Sequence, residues 1–271
     1  MTTPTITRIK GDQALTFTSD VTIHVLQDVE LNSPILIEGL PGVGHVGKLV
    51  AEHLIDELHA ERVMDIYSTH LPPQVIALED STVRLSRNEL YAYQTVDGND
   101  LLILVGDYQS VTNEGHYILC DAFLDIAKQF GVSRIYTLGG YATYQLEDAD
   151  SVVGAVNNPE LIEELSGYGV EFQENEPWGG IVGVSGIMLA MSEARGIDAA
   201  CLMGITSGYL VDPKSSQAVL RVLSQALGIE VDTQALDEHA AEMEKVVAKL
   251  QEMQQMQESM NMGDEDLRYI G

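Results

Sequence analysis

ILIEGLPGVGHVGKLVAEHLIDEL, residues Ile35 to Leu58, joins three signals in one unit. Ile35, Leu36 and Ile37 form a short β-prone apolar run after Pro34. Gly39, Gly42, Gly44 and Gly47 follow, where backbone must turn or approach something closely. Val46, Leu49, Val50, His53, Leu54 and Leu58 then recur at helical spacing, with Glu52, Asp56 and Glu57 on the wet side. Strand, glycine turn and helix in that order predict a parallel α/β architecture.

The turn fits two phosphate motifs. Gly42, Gly44 and Gly47 match the G-x-G-x-x-G of dinucleotide folds, and Asp65, in the next strand candidate, stands where a ribose-binding acid is expected. Gly42 to Lys48 matches most of a P-loop, but Leu49 replaces the hydroxyl residue that would hold magnesium. The same glycines equally serve a tight turn and close helix-to-strand packing, with Lys48 solvating the first helical turn.

Glu38 to Lys48 (EGLPGVGHVGK), with Tyr67 to Gln74 (YSTHLPPQ), resembles the archaeal proteasome assembly chaperone (PAC) family. Leu138 to Tyr141, Gly180 to Leu189 (GIVGVSGIML) and Gly208 to Val219 (GYLVDPKSSQAV) agree with it, so the resemblance runs from about residue 33 to 232. It implies a protein without catalysis or cofactor that binds proteasome α-type subunits. The competing reading is a nucleotide or nucleoside enzyme of nucleoside-phosphorylase-like fold, using Gly42, Gly44, Gly47, Lys48 and Asp65.

Composition narrows the partners. Fourteen basic against 42 acidic residues give a formal charge of −28, which excludes the clustered Lys and Arg that a nucleic-acid face needs. Such a charge serves solubility or adaptation to high salt, where screening shortens to about 3 Å near 1 M. No apolar run is long enough to span a bilayer, and MTTPTITRIKGDQ carries no signal-peptide pattern, so a cytoplasmic protein is expected. Cys120 and Cys201 lie in apolar segments without metal or redox spacing, as buried free thiols would.

In chain order, Thr5–Ile9 and Ala14–Val25 read as antiparallel edge strands, and Thr82–Leu85 with Glu89–Val96 as a hairpin. Leu101–Val105 is a strand buried on both faces, and Asn113–Phe130 a helix stopped by Gly131. Strands at Arg134–Leu138, Val152–Val156 and Ala199–Ile205 alternate with helices at Gly183–Ala194 and Ser215–Leu227. The expected fold is a doubly wound, mostly parallel α/β domain over residues 1–232.

Beyond Asp232 the texture changes. Thr233 to Met260 lacks Gly and Pro, and Leu236, Met243 and Leu250 recur every seven residues, as do Val246, Met253 and Met260. This helix, 233–262, packs either on a second copy, as a homo-oligomerisation element, or on its own domain. The tail 263–271 ends in Leu267, Tyr269, Ile270 and Gly271. The resemblance implies a C-terminal hydrophobic-tyrosine motif that inserts between α subunits; here it is displaced by one residue, and the tail is either an anchor or a frayed end.

Lone residues do not assemble into catalytic machinery in the sequence. Ser185 misses the nucleophile-elbow pattern because Ile187 replaces its last glycine, and reads as a helix N-terminal serine. His45 and His70 have no evident acid or nucleophile beside them, and Glu147, Asp148 and Asp150 lack calcium-loop spacing.

Overall fold

The computed structural model describes residues 5–96, 98–144, 150–172 and 180–234, with 236, 238, 240 and 241. Its strands are β1 (Ile6–Lys10), β2 (Val21–Val25), β3 (Ile35–Glu38), β4 (Glu61–Ser68), β5 (Val75–Ala77), β6 (Val83–Leu85), β7 (Asn88–Tyr93), β8 (Leu101–Gly106), β9 (Arg134–Ala142), β10 (Val152–Val156), β11 (Val170–Glu171) and β12 (Asp198–Thr206). Its helices are α1 (Val46–Leu58), α2 (Asn113–Phe130), α3 (Leu161–Gly167), α4 (Val184–Ala194) and α5 (Pro213–Leu227). Ten strands form one sheet in the order β1-β2-β4-β7-β8-β3-β9-β12-β10-β11, and β5 and β6 form a separate pair.

The centre of the sheet, β8-β3-β9-β12, is parallel. Side chains alternate across it: Leu36, Leu102, Leu104 and Ile135 face α2 and α4, whereas Ile37, Ile103, Tyr136 and Leu202 face α1, α3 and α5. Burial on both faces explains why these strands read as unbroken apolar runs. The expected doubly wound α/β fold is therefore present, with antiparallel pairing from β2 to β8 on one flank and between β10 and β12 on the other.

Helix ends follow local chemistry. Thr112 Oγ1 accepts the Gly115 N–H at 3.0 Å to open α2, and Gly131 closes it at φ 67°. Asp212 Oδ1 accepts the Ser215 N–H at 3.0 Å to open α5, with Pro213 in its first turn and Gly228 closing it at φ 68°.

Two pairings differ from expectation. β1 and β2 are parallel, Ile6 opposite Val21 and Lys10 opposite Val25, because residues 11–20 carry the chain back across the sheet instead of turning tightly. Within that connection Phe17 meets Tyr67 edge to face at 6.4 Å. β6 pairs with β5, not β7, while β7 joins β4 and β8. The chain breaks direction between β6 and β7 because Asp107 holds both sides of the corner. It accepts two guanidinium bonds from Arg84, at 2.6 and 2.8 Å, and the Arg87 backbone N–H at 3.0 Å.

At the C-terminal end of the described chain, Leu236 and Ala240 are buried, and Leu236 joins the core beneath α1 and α5. The helix that begins near Gln234 thus starts on its own domain. Met243, Val246, Leu250, Met253 and Met260 lie outside the described residues, as do Leu267, Tyr269, Ile270 and Gly271.

Candidate functional site at the carboxyl edge of the sheet

The helix after β3 packs on one face and the helix after β8 on the other, so the connections that leave these adjacent strands diverge at their carboxyl ends. In an open α/β sheet that divergence makes the crevice where ligands bind. Here the chain fills it. The Gln109 side chain donates from Nε2 to the Pro41 carbonyl at 2.8 Å and accepts the Val184 N–H at 3.0 Å, stitching the loops after β3 and β8 to the start of α4. Gly183, at φ 91°, is the residue that lets α4 approach: a Cβ there would stand 2.7 Å from Gln109 Oε1.

Beneath the stitch lies Glu38, the last residue of β3 and inaccessible to solvent. Its Oε1 accepts the Leu40 N–H and its Oε2 the Ser185 hydroxyl, each at 2.9 Å. Burial pushes the carboxyl up to about 7, against the pull of those two donors. Ser185 Oγ also lies 3.3 Å from the Leu138 carbonyl. The serine therefore serves both protonation states: it donates to the carboxylate, or accepts from the neutral acid while donating to Leu138. Ser185 stands in the first turn of α4, as the sequence reading expected, and its hydroxyl is turned to Glu38 and Leu138.

The glycine turn itself is packed. Gly47 presses α1 onto β9, where a Cβ would collide with the Leu138 carbonyl oxygen, and a Cβ on Gly39 would collide with the Gly47 oxygen. Gly44 is buried at φ 63°, and its carbonyl accepts the Asp212 N–H at 2.8 Å. Gly42 alone of the motif glycines has room, its nearest outside atom lying 3.9 Å from a built Cβ. Lys48 Nζ sits 3.5 Å from Glu52 Oε1. Asp212 lies beside Gly44 and Glu52 beside Lys48, and carboxylates there oppose an anion at the α1 N-terminus.

Asp65 does not join the glycine turn. β4 is separated from β3 by β7 and β8, roughly 14 Å at the usual strand spacing. Its carboxylate belongs to a network on the other flank, 3.4 Å from both Arg62 Nε and Arg87 Nε, and the Tyr67 hydroxyl donates to it at 3.3 Å. In a dinucleotide fold the acid stands on the neighbouring strand; the antiparallel insertion of β4 and β7 removes that geometry.

Other lone residues resolve structurally. His70 Nδ1 lies 3.0 Å from Thr112 Oγ1, and Asp150 pairs with Arg221 at 2.8 Å, while Glu147 and Asp148 fall outside the described residues. Cys120 and Cys201 are buried free thiols whose pKa burial raises, Cys201 to about 12, which leaves them unreactive. Among the described residues no His, Cys, Asp and Glu group is placed to hold a metal ion, and no helix is long and apolar enough to cross a membrane.

What the edge presents outward is apolar. Val43, Tyr144, Val182, Tyr209 and Val211 are exposed around the filled crevice, and Tyr144 meets Tyr209 edge to face at 6.1 Å. Gly208, at φ 78°, turns the chain so that this pair sits over Val43, whose Cγ1 lies 3.5 Å from its built Cβ. In the sequence the Glu38 site shows only as an acid ending an apolar strand, and nothing there marks Gln109.

Fold and edge together define a doubly wound α/β protein whose ligand crevice is occupied by its own side chains. The chain belongs to the PAC2 family, whose model matches residues 36–251. It is 36% identical over 251 residues to the uncharacterised protein MJ1210 of Methanocaldococcus jannaschii, covering 91% of this chain and 96% of that one. Pyrococcus furiosus PbaB, described as an archaeal proteasome activator, is 38% identical with a TM-score of 0.81, over 86% of this chain and 99% of PbaB. Pyrococcus furiosus PbaA, described as an archaeal homolog of proteasome-assembly chaperone, is 26% identical with a TM-score of 0.71, over 92% of this chain and 99% of PbaA.

Proposed function

We propose that this chain is a non-enzymatic proteasome assembly chaperone that recognises α-type subunits by surface contact. The observation that carries the reading is its likeness to PbaB and PbaA along nearly their whole length. The filled crevice agrees with it: Gln109, Glu38 and Ser185 spend their polar groups on one another and on backbone. The nucleotide-enzyme alternative loses ground because Asp65 stands apart from Gly42, Gly44, Gly47 and Lys48.

In this reading the tail residues Leu267, Tyr269, Ile270 and Gly271 supply an apolar anchor and a terminal carboxylate, and the seam from Met243 to Met260 joins copies into a homo-oligomer, Leu236 being used instead by the chain's own core. In the same reading the chain works in the cytoplasm. A second reading, action on the finished proteasome, is favoured by the higher identity to PbaB.

One experiment separates the two. Purified α-type and β-type subunits are mixed with and without the chain, and particle assembly is followed by native gel; peptide hydrolysis by preassembled proteasomes is measured alongside. Faster assembly with unchanged hydrolysis is expected. Faster hydrolysis alone would establish the activator reading, and no effect on either would refute both.

A further inference from the structure

The β5–β6 hairpin is inverted relative to a surface hairpin's usual pattern. Its register sets Val75 opposite Leu85 and Ala77 opposite Val83, and all four face outward. Val75 is 52% exposed, Val83 63% and Leu85 42%. The inward positions are Ile76 and Arg84, both half-buried. The alternation turns the Arg84 guanidinium toward the domain beside Ile76, and Val75, Ala77, Val83 and Leu85 toward water.

The arm is also held rigidly in that orientation. Arg84 is bidentate on Asp107 and bonds the Leu85 carbonyl at 3.1 Å. At the tip, the Leu78 N–H donates to the Thr82 carbonyl at 2.9 Å, and Asp80 Oδ1 accepts the Thr82 N–H at 3.0 Å. A two-stranded hairpin is marginal in water by itself, and an apolar face on it gains nothing unless something covers it.

We propose that this outward strip, Val75, Val83 and Leu85 with Leu78 beside the tip, is a docking surface for a partner protein bearing an apolar cleft bordered by Lys and Arg. Charge selects that occupant. The tip carries Glu79 and Asp80, Arg84 is neutralised by Asp107, and the whole chain is at −28. A second copy brings the same negative charge and so meets repulsion there. A basic partner adds attraction around the same strip. The identification of that partner as the α-type subunit rests on the preceding reading; the existence of the surface does not.

Purified α-type subunits are titrated with the full-length chain and with a Val75→Thr/Val83→Thr variant, which keeps β-branched side chains and so the hairpin. Unchanged circular dichroism and melting confirm the fold. At least a tenfold loss of affinity is expected, and a Glu79→Gln/Asp80→Asn variant should bind more weakly and lose salt dependence. Equal affinity of the threonine variant and the unaltered chain would overturn the proposal. If the unaltered chain fails to bind α subunits, the preceding reading falls, and a photo-crosslinking amino acid at Val83 in the source cells decides the surface. A crosslink to a different protein, identified by mass spectrometry and bound tenfold more weakly by the threonine variant, upholds the proposal. Crosslinks only to further copies of this chain, or none, overturn it.

Discussion

Replacing Glu38 by Gln tests the physics of the filled crevice. The carboxyl is held at about 7 by burial, against 4.5 for an ordinary glutamate. Below 4.5 it is neutral in both folded and unfolded chains and costs nothing. Between 4.5 and about 7 the unfolded chain ionises while the folded one keeps its proton, so stability falls as pH rises. Above that range the cost is complete, roughly 3 kcal/mol at about 1.4 kcal/mol per tenfold. Glutamine fits the site: its oxygen accepts from Leu40, its amide donates to Ser185, and the serine hydroxyl turns to the Leu138 carbonyl. Glu38→Gln should therefore match the unaltered protein near pH 4.5 and exceed it by up to about 3 kcal/mol at pH 8. Urea unfolding at fixed salt, followed by circular dichroism, measures the difference at each pH. A difference independent of pH would refute the claim that Glu38 ionises at a cost inside the fold.

Three further outcomes are expected. Calorimetry with ATP, GTP and NAD(H) should give no binding at the glycine turn; micromolar affinity abolished by Lys48→Ala would restore the enzyme reading. The melting temperature should rise from dilute buffer to molar potassium chloride, because screening relieves a formal charge of −28, and a flat response would remove the high-salt interpretation. A chain ending at Ala241, which retains the buried Leu236 and Ala240, should lose its oligomeric state by light scattering. An unchanged state would place the interface outside the Met243 to Met260 seam.

What the sequence made legible was the part governed by periodicity and punctuation. Ile35 to Ile37 and Leu101 to Val105 are apolar without interruption because both faces are covered, and Gly131 marks its helix end by local chemistry. The direction of β1 against β2 was not legible, since alternation is the same in parallel and antiparallel pairs. Nor was the partner of Val83–Leu85, which is decided by Arg84 reaching Asp107 across the sequence. The glycine motif left two readings open for a related reason. Gly42, Gly44 and Gly47 have the spacing of a phosphate turn, but whether a glycine approaches a ligand or a Leu138 carbonyl depends on what packs above it. Gln109 is invisible in one dimension because its two bonds go to backbone at Pro41 and Val184, whose nearness only the fold creates.

The most direct measurement of the central claim is a titration of purified α-type proteasome subunits with the full-length chain and with one lacking Tyr269 to Gly271. Saturable binding by the full-length chain without nucleotide is predicted, with affinity at least tenfold lower, about 1.4 kcal/mol, after the deletion. Equal affinities would assign recognition to the folded domain, and the absence of any α-subunit binding by the full-length chain would contradict the account.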